Sequence, residues 1–306
     1  MTSYIARRLA QTIPIALLVS ILVFSLIHMI PGDPVEMMLG EGAQRSDVEA
    51  LRHELGLDRP LPQQLGSFLA GLLRGDLGNS LHYGEPVRQI LVRHYPATVE
   101  LALASMIVAL TIAIPLGVAA AFHRDGPIDH FSRFFSLLGV SIPNFWLGPM
   151  LILIFSIQLD LLPVSGRSGI LSIILPAVTL GTGLAGLLTR MIRSSLTEEL
   201  HRPYLVTARA KGLSRNQAVV RHAFKNASIP IVTVVGLQIG ALLTGTIITE
   251  TIFSWPGLGR LIIQSIRLRD YPLIQGGVLA IALTYLLLNL VTDLMYAWLD
   301  PRIRLR

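Results

Sequence analysis

Six windows without a single Asp, Glu, Lys or Arg divide this sequence. They are Leu9–Gly32, Leu101–His123, Phe134–Leu159, Ser168–Thr189, Asn226–Thr249 and Tyr271–Thr292, each 22 to 26 residues long. A helix needs about 20 apolar residues to cross the ~30 Å hydrocarbon core of a bilayer. The expected fold class is therefore an all-α membrane protein with six transmembrane helices. The next longest window, Pro60–Leu73, has 14 residues with two Gln and two Gly, and is too short to span. Composition agrees: 52% of the 306 residues are hydrophobic and 14% are charged, against about 25% charged in an ordinary soluble domain.

The first window follows Arg7-Arg8 and imitates a signal peptide. A signal peptide has an apolar core of only ~7–15 residues and a small-residue cleavage site. This window is longer and runs into Ile30-Pro31-Gly32-Asp33-Pro34, so it reads as an uncleaved first helix. With both termini inside, 15 of the 25 Lys and Arg fall on the cytoplasmic side and 10 outside, the latter spread over more residues. The positive-inside rule then favours N-in and C-in. The same rule explains the net charge of +6. No basic patch interleaved with aromatics suggests nucleic acid. Without cysteine there is no disulfide, thiol chemistry or Cys-based metal site.

The expected organisation has three parts. Residues 1–30 form the cytoplasmic N-terminus and first helix. Residues 31–95 form a small, mostly helical extracytoplasmic lobe with nine acids and two turn-rich stretches, Leu55–Pro60 and Leu73–Ser80. Residues 96–306 form a core of five helices, interrupted by a cytoplasmic loop at 200–226. The second helix is expected to start at Pro96-Ala97-Thr98. The third carries Ser141-Ile142-Pro143-Asn144-Phe145-Trp146, where Pro143 must free a carbonyl and kink the helix. Two roles fit Ser141 and Asn144: lining a translocation path, or bonding to backbone at a buried kink. Gly181, Gly183 and Gly186 on the fourth helix, and Gly236, Gly240 and Gly245 on the fifth, permit close helix approach. They suit packing within the subunit or against a second one. Trp255 and Tyr271 suit the headgroup level.

The polar stretch Pro203–Pro230 stands out between apolar windows. Pro203 suits a first helical turn, and Gly212 suits the position just past a helix end. Ser214 and Gln217 have capping-box spacing, so a second short helix is expected at once. Thr207, Ala208 and Ala210 are small enough to let a partner approach. Two short helices around a glycine, at a membrane edge, read as a docking plug.

This stretch resembles the signature of membrane subunits of ABC importers, and more fully that of the dipeptide, oligopeptide and nickel permeases. Thr207-Ala208-Arg209-Ala210-Lys211-Gly212-Leu213, then Arg221-His222 and Asn226-Ala227, carry the likeness. The Ser254-Trp255-Pro256-Gly257-Leu258-Gly259-Arg260 run is also similar, and the resemblance extends over nearly the whole chain. The general importer signature is met only in part. Val206 stands where its Glu belongs, Thr207 and Ala208 where its two Ala belong, and Phe224-Lys225 where its Leu-Pro belongs. The resemblance implies a type I importer permease in a bacterial inner membrane. It implies a second homologous permease subunit, two cytoplasmic ATPase subunits and an extracytoplasmic binding protein. ATP and Mg would sit on those partners, with no cofactor or metal in this chain. It implies that Tyr204, Thr207, Ala208, Arg209, Ala210, Lys211, Gly212 and Leu213 form a coupling helix in an ATPase cleft. It places Trp255, Pro256 and Gly257 in an extracytoplasmic loop. Peptides are the implied cargo, with nickel or a metal chelate as the alternative.

The chain has no catalytic constellation of its own. Lys211 precedes Gly212 and Lys225 precedes Asn226, so no Gly-Lys-Ser/Thr phosphate loop exists. His53-Glu54 begins a metalloprotease helix, but Leu57 stands where the second ligand belongs. The ionisable groups in or beside the windows are His28, Glu100, Arg190, Glu250 and Asp293. Glu100, Arg190 and Glu250 lie at window edges, where they are expected to reach water, and Asp293 is placed to pair with a basic residue. No acid lies mid-span, which disfavours an ion-coupled secondary transporter. An intramembrane enzyme and an exporter half are disfavoured with it.

Overall fold

The computed structural model describes residues 2–29, 35, 39, 44–54 and 56–299. Pro31–Pro34, Leu55 and Asp300-Pro301-Arg302 lie outside them. The elements are α1 (Thr2–Met29), α2 (Arg45–Glu54), α3 (Leu61–Leu73), α4 (Val87–Phe122), α5 (Pro127–Ser141) and α6 (Asn144–Leu151). There follow α7 (Ile174–Leu200), α8 (Pro203–Ala210), α9 (Arg215–Ala218), α10 (Phe224–Gly245), α11 (Ile247–Ile252), α12 (Leu258–Leu268) and α13 (Tyr271–Leu299). Wider π turns at Ile152–Gln158 and Val219–Ala223 extend α6 and join α9 to α10. An isolated bridge between Asn79 and Pro86 is the one β pairing among the described residues.

The apolar windows became helices, but charges did not end them. α4 begins at Val87, nine residues before the expected start, and contains both Pro96 and Pro115. α7 continues past Arg190 to Leu200. A charge ends an apolar window, whereas a helix ends only when its backbone bonds find other partners. Three described helices are long and apolar enough to span alone: Val87–Phe122, Ile170–Leu200 and Tyr271–Met295. Two bent pairs raise that to five if each is one span, and Ala10–Ser25 within α1 is a shorter apolar helix.

Pro143 does more than kink the third window. α5 stops at Ser141 and a new helix starts at Asn144, turned by 100°. The residue before a proline is pushed out of helical space, and Ile142 is extended, with φ −79° and ψ 119°. The second short helix expected after Gly212 also differs. It is the opening of the fifth long segment, because α9, the Val219–Ala223 turn and α10 are continuous.

Small residues bring the helices together inside the subunit. A side chain on Gly181 would come within 2.8 Å of the Ser105 carbonyl on α4, and one on Gly186 within 2.7 Å of the Ser136 carbonyl on α5. Gly236 faces Thr292 and Gly240 faces the Tyr285 ring, both on α13. The GxxxG pair therefore packs within this chain, not against a second subunit. The main core runs between α4, α7 and α10, from Leu101 and Met106 to Leu188, Ile192 and Leu242. α1 lies against α13, where Gln275 Nε2 donates to the Val23 carbonyl at 3.2 Å. Arg8 pairs with Asp293 at 2.9 Å, the partner expected for that acid. The lobe is tied down by Asp270. Its buried carboxyl accepts from the Ser80 hydroxyl and from the N–H groups of His82 and Leu273.

Candidate functional site

The Pro203–Leu213 segment forms a short helical peg with one exposed face. Arg202 is extended and Pro203 occupies the first turn of α8. The far end is a Schellman cap. The Gly212 N–H donates to the Arg209 carbonyl at 2.9 Å, and the Leu213 N–H to the Ala208 carbonyl at 3.3 Å. That geometry needs a left-handed residue, and Gly212 has φ +93°. The expected capping box follows: Ser214 N–H donates to Gln217 Oε1 at 3.1 Å, and Gln217 N–H to Ser214 Oγ at 3.3 Å.

The peg has two faces. Leu205 and Ala208 are buried in a small core with Ala121, Leu196, Ala218, Val219 and Ala223. Tyr204 and Leu213 pack against that core. The Tyr204 hydroxyl donates to Glu199 on α7. Burial, and then that bond, push its phenol pKa up. Val206, Thr207, Arg209, Ala210, Lys211 and Gly212 face outward, and Val206 is 70% exposed. Of the eight coupling candidates, Ala208 thus serves the subunit's own packing. Val206, not among them, is the most prominent apolar group on the open face. Val206 lines a shallow groove of about 400 Å³ with Leu205, Arg209 and Val219, and Leu213, Gln217, Val220 and Arg221 line another of about 410 Å³.

The Glu250–Arg260 turn is the opposite kind of object. Glu250 is fully buried, not water-reaching as its place at a window edge suggested. Its Oε1 accepts from the hydroxyls of Thr98 at 2.8 Å and Thr246 at 3.0 Å, and its Oε2 from the Arg260 N–H at 3.0 Å. Thr98 Oγ1 also accepts from the Leu258 N–H at 2.8 Å. The first N–H groups of α12 lack partners within the helix. Gly257, at its N-cap, has no side chain to supply one. Thr98 and Glu250, from α4 and α11, cap α12 in its place. A side chain at Gly257 would run into the Glu250 carboxyl.

Trp255 also departs from expectation. It is fully buried rather than at a headgroup level, and its Nε1 donates to the Ala97 carbonyl at 2.7 Å. Tyr271 is buried as well. Arg167 lies 6.0 Å above the Trp255 ring and pairs with Glu100 at 2.6 Å. Pro256 is half-buried and Gly257 buried. The sequence reading placed Glu250 at a water-reaching edge because one deciding donor, Thr98, lies 152 positions away on α4. The signal it could have used was Thr98 and Thr246, two hydroxyls at helix ends near an acid.

The third set, Ser141, Pro143 and Asn144, lies at the 100° break. Ser141 and Pro143 are exposed and Asn144 is half-exposed. Ser141 ends α5, at the opposite end from Asp129, and Asn144 opens α6. That acid, fully buried, is gripped by Arg193 of α7 and by Arg133 at 2.7 Å. The sequence reading did not single out Asp129.

Comparison with known proteins gives a consistent picture. Residues 113–305 match the family described as binding-protein-dependent transport system inner membrane component, and residues 1–102 match its N-terminal counterpart. The chain is 43% identical over 336 aligned positions to the dipeptide transport system permease protein of Escherichia coli strain K12, covering 99% of both. It is 41% identical over 304 positions to the glutathione transport system permease protein of Pectobacterium atrosepticum, again covering 99% of both. A methionine ABC transporter solved in inward-facing conformations aligns with TM-score 0.54 at 19% identity, over 69% of this chain and 97% of that one. At that identity the likeness shows a shared fold alone.

Proposed function

This chain belongs to the family of binding-protein-dependent transport system inner membrane components, and from that membership we propose that it is the peptide-carrying half-pore of an ABC importer. The observation that carries the mechanical part is the α8 peg. It starts at a proline, is closed at its far end by the Gly212 cap, is bonded to α7 through Tyr204, and is open on one face. A helix fixed to two long helices passes on a push as a rigid body, whereas a loose loop would absorb it. An ATPase cleft closing on Val206, Thr207, Arg209 and Lys211 would therefore move α7 and α10 together. ATP and Mg stay on the partner. Closure of two ATPases would turn the pore outward. By linkage, loaded binding protein must favour the same state.

The relatives are named for dipeptides and glutathione, which supports short peptides over nickel or a metal chelate. The partners are a homologous permease, two ATPases and an extracytoplasmic binding protein. The setting is a bacterial inner membrane with both termini inside.

The test is to withdraw the chain from native membranes in mild detergent and identify what accompanies it. A second permease and two ATPases are expected, with a binding protein whose bound ligand names the cargo. A chain that comes alone, and with which no ATPase can be reconstituted, would overturn the docking role. Orientation is read separately. The chain has no cysteine, so a single Val206→Cys variant reports sidedness directly. It should react with an impermeant thiol reagent only from the cytoplasmic face.

A further inference from the structure

Beside the peg, α5 and α7 part to leave a groove of about 870 Å³. Its chemistry is divided. At one end are Leu137 and Val140, both exposed, and the backbone of Gly186. At the other are Arg124, Arg133, Arg190 and Arg193. Asp125 and Glu198 also line it, so cations outnumber acids there. Arg133 and Arg193 are held in place by the buried Asp129. Arg190, exposed on α7, makes no ion pair among the described residues.

Of the six buried hydroxyls without a partner among the described residues, three gather along this groove. A helical Ser or Thr ordinarily donates to a carbonyl one turn back. Ser20, Ser105, Thr179 and Thr182 do so, at 2.6–2.8 Å. Ser132, Ser136 and Thr197 do not, and their oxygens are buried without any partner. All three line the groove. Ser132 and Ser136 are one turn apart on α5, and Arg190, Arg193 and Thr197 share a face of α7. Buried hydroxyls left without an acceptor, beside spare guanidinium N–H groups, want an oxyanion.

We propose that this groove binds the phosphate headgroup of an anionic phospholipid, with Arg190, Ser132 and Ser136 on the phosphate and an acyl chain along Leu137 and Val140. A basic pocket between membrane helices is suited to such a headgroup. The apolar end distinguishes a lipid from a free anion, because inorganic phosphate gains nothing from Leu137 and Val140. The site adjoins α8 through Thr197, Glu198 and His201, so an occupying lipid would brace the helix that carries the peg.

The test uses the complex as purified from membranes, stripped with detergent and exposed to vesicles of phosphatidylglycerol or phosphatidylcholine. Retained lipid is counted by native mass spectrometry. Phosphatidylglycerol should be retained preferentially. Arg190→Ala and, separately, Ser136→Ala should each lower that retention about fivefold, and Arg267→Ala at the other end of the molecule should not. Three results would each overturn the proposal. One is equal retention of the two lipids. Another is displacement of the lipid by an equal concentration of inorganic phosphate, which would make the ligand a free anion. The third is cross-linking of a Leu137→Cys variant to a neighbouring permease subunit with no lipid retained, which would make the groove a protein interface.

Discussion

The peg at Pro203–Leu213 and the turn at Glu250–Arg260 are both short breaks between long helices, and they are finished in opposite ways. The peg satisfies its backbone locally, with Pro203, Gly212 and the Ser214–Gln217 box all inside one stretch. Its open face is left with side chains that the subunit itself does not use. The turn makes local backbone bonds too, but it is also pinned at long range: Thr98 on α4 accepts from the Leu258 N–H and donates to Glu250, and the Trp255 indole donates to the Ala97 carbonyl. A locally closed segment can be moved as a body and offered to a partner. A segment pinned to α4 in this way cannot move without breaking those bonds. One is suited to transmit and the other to hold.

The sharpest way to break that contrast is at the turn. Gly257→Val should yield no folded protein in detergent, because its side chain meets the Glu250 carboxyl and neighbouring backbone is fixed. Glu250→Ala leaves two hydroxyls and one N–H buried without an acceptor. At ~1–3 kcal/mol for each such group, a loss of about 3 kcal/mol or more is expected in thermal unfolding. A loss below ~1 kcal/mol would show that the turn is not the anchor described. Trp255→Phe should cost about 1–2 kcal/mol through the lost bond to Ala97.

At the peg the order of stability and function should reverse. Gly212→Val forces a β-branched residue to a positive φ, at about 1–2 kcal/mol, yet nothing lies within 4 Å to clash with it. The variant should fold and reach the membrane while transport is lost and ATPase activity uncouples. Normal uptake would sink the peg's coupling role. Smallest of all in stability is Val206→Asp, expected within ~0.5 kcal/mol of the parent because the side chain is exposed. It should still abolish co-purification of the ATPase. If it also unfolds the chain, the two-faced description of α8 is wrong.

Much of the peg was legible in the sequence because its determinants lie within fifteen residues of one another. Proline at a first turn, glycine at a left-handed cap and a Ser-x-x-Gln box act locally, and each appears where its chemistry required. What the sequence could not show was which way α8 faced. Val206 and Ala208 are both apolar and two residues apart, and only packing against Ala121 and Leu196 buries one and exposes the other. The apolar windows likewise gave the long helices, but not their ends, since α4 begins well before Glu100 and α7 runs on past Arg190 and Arg193.

Sequence by itself determined that this is a helical membrane permease with a glycine-capped peg between its fourth and fifth windows. Apolar length and local capping are properties of contiguous residues, and contiguous residues were in view. Tertiary structure alone decided that Glu250 and Trp255 are interior, that Pro143 turns the chain through 100°, and that Asp129 joins α5 to α7. Each of these rests on partners 64 to 158 positions away, or on backbone freed by a proline and then directed by its neighbours. A carboxyl group at the edge of an apolar window reads the same whether water or a hydroxyl 152 positions away will meet it, and only the assembled helices choose.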